Sequence, residues 1–161
     1  MSAVEKLLRD VKWTNLDFLI IDMPPGTGDV QITLSQKVKL SGAIIVSTPQ
    51  DLSLIDARKG LNMFKKVNVP ILGIIENMSY FECHNCNTKH EIFGSGGAQL
   101  EAKKLGLTFL NSIPLDISLR TTSDEGNPIL NKDPNSSISK KYMEIGSKIL
   151  NIIKDNRKSS S

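Results

Sequence analysis

An acidic residue at the end of an apolar run is the first feature of this sequence that could do chemistry. Residues 17–29 have the sequence Asp-Phe-Leu-Ile-Ile-Asp-Met-Pro-Pro-Gly-Thr-Gly-Asp, so Asp22 follows a run too short for a helix and precedes a loop rich in Pro and Gly. In α/β proteins, a carboxylate at the carboxyl end of a buried strand, followed by a glycine loop, often serves a metal–phosphate site. The alternative is a plain strand-to-helix turn in which Asp29 caps the next helix. That alternative explains Asp29 but leaves Asp22 without a role.

Cys83 and Cys86 form a second candidate site, in a loop that is unusually long for an α/β connection. A thioredoxin-type redox pair would sit where a strand turns directly into a helix, whereas polar loop residues surround this pair. A zinc site could use both thiols, His90 and a fourth ligand from elsewhere. A third possibility is half of a four-iron site, which a twofold dimer would complete because each chain offers two thiolates. Two unligated loop cysteines remain the alternative without chemistry.

Alternating strands and helices are predicted to position these residues. The predicted strands are apolar throughout, which indicates a parallel sheet covered by helices on both faces, in a single α/β domain over residues 1–156 with a disordered tail at 157–161. Parallel strands end at one edge of their sheet, so the residues that follow each strand should meet in one crevice. The predicted strands are Phe18–Asp22, Ala43–Ser47, Ile71–Glu76 and Thr108–Ile113. The predicted helices are Val30–Leu40 after Asp29, one capped near Asp51, Ala98–Leu105, and a closing helix from Ile138 to Ile152. The residues expected to converge are Asp22, Thr48–Gln50, Asn77 and Pro114.

Composition excludes several classes of partner. The net charge is only +3 and both signs are interspersed, which argues against nucleic acid or a membrane surface as a partner. No apolar stretch approaches the ~20 residues of a spanning helix. Two cysteines in 161 residues favour a reducing compartment over a disulfide scaffold. Gly94-Ser-Gly-Gly97 has the spacing of neither common phosphate-binding motif, so it is predicted only to turn the chain sharply into the next helix.

Taken together, these segments resemble the Mrp/nucleotide-binding-protein family of P-loop ATPases, which carry iron–sulfur clusters. The opening Met1–Leu8 is similar to the mitochondrial branch, whose members act in the assembly of respiratory complex I. The segments that carry the resemblance occur in family order: residues 17–31, Val46–Gln50, Gly73–Ser79, Cys83-x-x-Cys86, Ile92–Gly97 and Ile113–Asp116 through Asp124–Pro128.

The resemblance implies roles for eight residues. It implies that Asp22 is the Walker B acid, which holds Mg²⁺ through water, and that Gly26 and Thr27 form the switch that senses the γ-phosphate of ATP. Contacts to the base and ribose are assigned to Asn77, Pro114 and Asp116. Half of a bridging [4Fe–4S] site is assigned to Cys83 and Cys86. Two departures accompany it: the sequence contains no G-K-[ST] phosphate loop, and His84 stands where proline is common in the family.

The resemblance therefore implies the C-terminal half of an ATP-dependent carrier that would be inactive as an ATPase on its own. The complete protein would be a homodimer bridged by its cluster and would pass that cluster to apo-proteins, among them complex I subunits. The mitochondrial matrix is the implied compartment, with the cytoplasm as the alternative. Two other functions are weighed against this one: a positioning ATPase of the MinD/ParA type, and a zinc-stabilised interaction domain without catalysis.

Overall fold

Helices and strands alternate along the part of the chain that the structure, a computed structural model, describes. The described residues are 6, 8, 10–23, 28–83 and 85–158. The elements are α1 (Asp29–Lys37), β1 (Ala43–Ser47), α2 (Asp51–Lys66), β2 (Ile71–Glu76), β3 (Phe81–Glu82), β4 (Lys89–His90), α3 (Gly97–Lys104), β5 (Phe109–Ser112), α4 (Ile117–Asp124), α5 (Ile129–Lys132) and α6 (Ser137–Lys158).

Three parallel strands form the main sheet, in the order β1-β2-β5. The strands β1 and β2 have the predicted bounds, because short runs rich in β-branched residues, uncharged except for Glu76 at the end of β2, favour buried parallel strands. They pair along their whole length, from Ala43 opposite Ile71 to Ser47 opposite Glu76. On the other side of β2, Glu76 lies opposite Ser112 of β5. The three strands therefore end side by side at one edge.

Helices cover both faces of this sheet, as the apolar strands predict. On one face, α2 and α3 pack on β1 and β2 around a core of Ile45, Leu54, Leu61, Ile74, Ala98 and Ala102. On the other face, α6 packs on β5 through Leu110, Ile113 and Ile145, joined by partly buried neighbours that include Ile44, Ile75 and Tyr142. The predicted α/β layering and the apolar stripe of the closing helix are both confirmed. No helix among the described residues is long and apolar enough to cross a membrane.

The prediction of a strand at Phe18–Asp22 is wrong. Residues 18–23 have no regular secondary structure, and the side chains of Phe18 and Ile20 are 45% and 82% exposed. An apolar run becomes a strand only when a neighbouring strand accepts its backbone hydrogen bonds. The main sheet of the described residues contains β1, β2 and β5 only, so the run 18–22 has no such neighbour within them.

The predicted helix starts also need correction. Asp29 and Asp51 are the first helical residues rather than caps; Gly28 and Gln50 hold the cap positions, and neither makes a side-chain cap bond. The helix α1 ends at Lys37 instead of Leu40. At the other end of the chain, α6 continues to Lys158, into the predicted tail, and residues 159–161 lie outside the described part.

Candidate functional site

The strand ends meet at one edge of the sheet, joined by backbone hydrogen bonds. The Asn77 N–H donates to the Ser47 carbonyl at 2.7 Å, and the Ile113 N–H donates to the Glu76 carbonyl at 2.8 Å. The predicted convergence is therefore confirmed for the segments after β1, β2 and β5. Asp22, the fourth predicted member, is exposed in the irregular segment 18–23 and is not part of this sheet. Gly26 and Thr27 lie outside the described residues.

The three residues assigned to the nucleotide base and ribose all lie near this edge, in different environments. Asn77 is half-buried, and its side-chain oxygen accepts the Met78 N–H at 3.0 Å. Pro114 is buried. Asp116 caps α4, accepting the backbone N–H of Ser118 at 2.7 Å. Asp is a common residue at this position before a helix, but this capping role of Asp116 was not predicted from the sequence.

The two cysteines occupy the tip of a small antiparallel hairpin formed by β3 and β4, where the sequence predicts only a loop. We call residues 81–90 the dithiol hairpin. Its turn is closed by two backbone bonds, from the Cys83 N–H to the Thr88 carbonyl at 3.0 Å and from the Asn87 N–H to the Cys83 carbonyl at 2.8 Å. Asn87 has a φ of 56°, a left-handed conformation that asparagine tolerates well. These bonds tie the backbone of Cys83 to that of Asn87 and Thr88, on the two sides of the turn.

Both thiols are free, and one of them is biased toward the thiolate. The Cys86 sulfur lies 3.2 Å from the Thr88 hydroxyl oxygen. Hydrogen bonding from Thr88, with a smaller contribution from the Cys83 side chain, lowers the pKa of Cys86 below its usual range. Cys86 is exposed and Cys83 is half-buried. An exposed thiol with a lowered pKa suits metal or cluster ligation, because the thiolate is the ligand. Sequence reasoning did not single out Thr88, although a hydroxyl two residues after a candidate ligand is a recognisable signal.

The described residues do not assemble a complete zinc site. Among them, no group of three or more His, Cys, Asp and Glu side chains is placed to hold a metal ion. The ring of His90 instead lies beside Phe81 across the hairpin, with ring centroids 6.3 Å apart. His84 lies outside the described residues. The donors present are two thiols, which fit half of a four-thiolate cluster site.

The glycines that follow the hairpin turn the chain into α3, as predicted. Gly94 and Gly96 have φ values of 86° and 69°, in the left-handed region that favours glycine. A side chain at Gly97 would meet the Pro49 carbonyl oxygen at 2.4 Å from its Cβ, so the backbone of this turn packs directly on the segment that follows β1. The glycines therefore serve close packing at the strand ends.

A buried carboxylate at the same edge was missed by sequence reasoning. Glu76, the last residue of β2, is 3% exposed, and its two oxygens accept the backbone N–H groups of Gly96 and Ala98 at 3.3 and 2.8 Å. A single charged residue at the end of the apolar run 71–76 was the available signal, since a buried carboxylate needs partners. Glu76 thus connects the strand end to the start of α3.

Several proteins are similar to this chain. The mouse protein named iron-sulfur cluster transfer protein NUBPL is 52% identical over 96% of this chain and 48% of its own length. An Arabidopsis thaliana protein named iron-sulfur protein required for NADH dehydrogenase, mitochondrial, is 51% identical over 98% of this chain and 50% of its own length. A nucleotide-binding protein from Archaeoglobus fulgidus, solved in complex with ADP, superposes with a TM-score of 0.69 at 44% identity, covering 76% of this chain and 51% of that one.

The chain therefore spans about half the length of the curated relatives it matches. Residues 1–150 match a family described as ParA: NUBPL iron-transfer P-loop NTPase. This match covers nearly the whole chain and includes every residue singled out above. The parallel sheet with helices on both faces agrees with it, as does the solved relative. The chain belongs to the NUBPL iron-transfer P-loop NTPase family.

Proposed function

We propose that this chain carries a labile [4Fe–4S] cluster, held between two copies of the protein, and transfers it to apo-proteins. The dithiol hairpin is the observation that carries the proposal. It presents two free thiols on a hydrogen-bonded turn, and the pKa of Cys86 is lowered. Relatives over the same residues are named for the transfer of iron–sulfur clusters.

The number of ligands supports a shared site. A four-iron cluster takes four thiolates, and this chain has Cys83 and Cys86 only. A twofold axis through the cluster would supply the other pair from the same residues of the second copy. Because such a site lies between subunits and at an exposed tip, the cluster is cargo that an acceptor can reach.

Anaerobic reconstitution with iron and sulfide tests the shared site. We expect about one cluster per two chains, with cluster loading converting monomer to dimer. Cys83→Ser and Cys86→Ser should each abolish both cluster and cluster-dependent dimer. His90→Ala is the matched control and should leave both unchanged, because its ring packs beside Phe81 and is not needed as a ligand. Iron per chain and mass in solution are the measurements. A monomer that holds one zinc ion and loses it on His90→Ala would replace this proposal with the zinc-stabilised interaction domain.

ATP is proposed to regulate the carrier by binding at the strand ends. Asn77, Pro114 and Asp116 would contact the base and ribose. Asp22 would hold Mg²⁺ through water and Gly26 with Thr27 would sense the γ-phosphate, which requires the segment 18–22 to come to the sheet edge that it does not join in this structure. The joined ends of the three strands support a site here, since ligands of open α/β sheets bind at the carboxyl edge. The solved Archaeoglobus relative, which is in complex with ADP, supports a nucleotide as the ligand. The positioning ATPase considered from the sequence would leave the dithiol hairpin without a role.

The affinity of this chain for ATP can be predicted from its sequence and measured by calorimetry. The sequence lacks the G-K-[ST] segment whose backbone amides and lysine supply most phosphate contacts in such sites. We therefore expect ATP to bind this polypeptide weakly and without turnover. Micromolar affinity would contradict the proposed division of contacts between this chain and a phosphate loop supplied from elsewhere.

Apo-forms of complex I subunits are the proposed recipients, and the mitochondrial matrix is the proposed compartment. The name of the Arabidopsis relative supports both, because it specifies NADH dehydrogenase and mitochondria. Incubating the loaded chain with a complex I subunit stripped of its [4Fe–4S] cluster should move iron to that subunit. Cell fractionation tests the compartment. Recovery of the protein in the cytosol alone would favour the cytoplasmic alternative.

A further inference from the structure

The segment that holds the thiols leaves the sheet and returns to it at the same strand end. We call residues 77–96, between β2 and α3, the cysteine loop. If the ends of a loop of this length were not fastened, its thiols could occupy many positions. Restricting them to one position would then cost conformational entropy when a cluster or a second copy binds. The hydrogen bonds at its two ends therefore decide how well the dithiol hairpin is positioned.

At its start, the cysteine loop continues the ladder between β2 and β5 beyond the ends of those strands. The Ser79 N–H donates to the Ile113 carbonyl at 3.0 Å, and the Leu115 N–H donates to the Tyr80 carbonyl at 2.7 Å. Phe81, the first residue of the hairpin, then forms a parallel bridge with Leu115. The first strand of the dithiol hairpin is thus an extension of the main sheet.

At its end, the cysteine loop is fastened by the side chain of Glu76, the residue that immediately precedes it. Both carboxylate oxygens are used, one by the Gly96 N–H and one by the Ala98 N–H. These bonds join the side-chain oxygens of Glu76 to the first amides of a helix, where the helix dipole favours an acidic side chain. The amides can reach the carboxylate because Gly96 is left-handed and Gly97 has no side chain to strike Pro49.

Burial makes this connection rigid. Glu76 is 3% exposed, so a carboxylate that lost its two amides would remain desolvated at a large free-energy cost. Among the described residues, no buried side-chain nitrogen or oxygen lacks a partner, and Glu76 meets this condition through the end of the cysteine loop. Breaking the connection therefore requires either water to enter or the strand end to move.

We infer that Glu76 is a positioning residue for the cluster: it closes the cysteine loop and so fixes the dithiol hairpin relative to the sheet. This inference rests on the proposed cluster-carrying function. Glu76 touches neither thiol, and it acts by restricting where the two thiols can lie when the second copy approaches. Since Asn77 follows Glu76 directly, the same strand end also serves the proposed nucleotide contacts.

The test compares Glu76→Gln with Glu101→Gln in the full chain. Glutamine keeps the size of Glu76 but replaces one acceptor oxygen by an NH₂ group that faces a backbone N–H. Glu101 is the matched control, because it is also a buried carboxylate, lies on α3, and bonds Arg58 away from the cysteine loop. The measurements are the rate at which loaded protein loses iron to a chelator, and hydrogen exchange of the Cys83 amide in the cluster-free protein.

We expect Glu76→Gln to release iron about tenfold faster than the unaltered chain, in the range seen when groups that support metal ligands are changed. Exchange of the Cys83 amide should also accelerate, while Glu101→Gln lowers thermal stability and leaves both readouts within about twofold. Unchanged release and exchange in Glu76→Gln would overturn the inference, and so would equal acceleration in both variants. If Glu76→Gln does not fold, Glu76→Asp, which keeps the charge but shortens the side chain, carries the same expectations.

Failure of the proposed function gives a different result. In that case the unaltered chain holds no cluster, and the exchange measurement on cluster-free protein alone decides the role of Glu76. Faster exchange at Cys83 in Glu76→Gln would then still show that this carboxylate orders the hairpin. Exchange equal to that of the unaltered chain would refute the inference independently of any cluster.

Discussion

Gly97 is the position where a single added methyl group should do most damage to the strand-end site. The Cβ of an alanine there would lie 2.4 Å from the Pro49 carbonyl oxygen and 3.1 Å from a methyl carbon of Leu54. The nearest obstacle is backbone, which cannot rotate away as the end of a flexible side chain can. Relief requires α3 to shift away from the segment after β1, and that shift would stretch the bonds between Glu76 and the start of α3.

The size of the effect follows from the cost of overpacking. Forcing a methyl group into a filled space costs about 1–3 kcal/mol, and the better helix propensity of alanine recovers less than about 1 kcal/mol at a helix start. A net loss of about 1–2 kcal/mol lowers Tm by about 2–8 °C in a domain of this size. Differential scanning calorimetry of Gly97→Ala measures it directly.

Gly60 supplies the matched control for this substitution. It lies inside α2, and an added methyl group there would meet no atom within 4 Å. Gly60→Ala should therefore stabilise the protein by about 0.5–1 kcal/mol through helix propensity alone. A Gly97→Ala protein as stable as Gly60→Ala would show that α3 can move away from Pro49 at no cost. The close packing of the glycine turn would then be irrelevant to stability.

Two further predictions concern charge. Thr88→Val removes the hydroxyl that most strongly lowers the pKa of Cys86. The pKa of Cys86 should therefore rise, and alkylation of this thiol near neutral pH should slow. An unchanged pH profile of alkylation would contradict the hydrogen bond between Thr88 and Cys86. The Arg58 guanidinium lowers the pKa of Glu101 in the folded protein. The ion pair therefore stabilises the fold at pH values above the ordinary pKa of a glutamate. That stabilisation is lost as the pH falls through the lowered pKa of Glu101 in the folded state. Glu101→Gln should lower the free energy of unfolding by about 1–2 kcal/mol at neutral pH, a figure reduced because Arg58 is 46% exposed. The stability of the variant should also fall less steeply at acid pH. Equal acid sensitivity in both proteins would exclude the ion pair as the cause of that pH dependence.

The strands and helices that the sequence predicted well are those whose partners lie within the described residues. The bounds of β1 and β2 came out as predicted because each run is apolar and pairs with a neighbour in the same sheet. The run 18–22 is similarly apolar, yet it is irregular and largely exposed. Composition establishes that a run could be a strand, whereas pairing decides whether it is one.

The location of the candidate site could be predicted from the sequence, but the hydrogen bonds and the hairpin that hold its residues could not. Residues after β1, β2 and β5 were expected to meet, and backbone bonds join them. The hairpin around Cys83 was not foreseen, because strands of two residues leave too little periodicity to detect. The role of Glu76 depends on amides twenty and twenty-two positions further along the chain, and a contact at that separation has no local signature.

The exposed edge of the sheet has a practical consequence for counting subunits. Within the described residues β1 has a strand on one side only, and Val46, the fourth of its five residues, is 58% exposed. A strand edge of this kind can pair with another copy whenever the protein is concentrated enough. Edge pairing would give a second route to a dimer, which requires only concentration, beside the proposed route that requires iron. Diluting the cluster-free and cluster-loaded protein in parallel separates them, because only the iron-dependent dimer should persist at low concentration and vanish in Cys86→Ser.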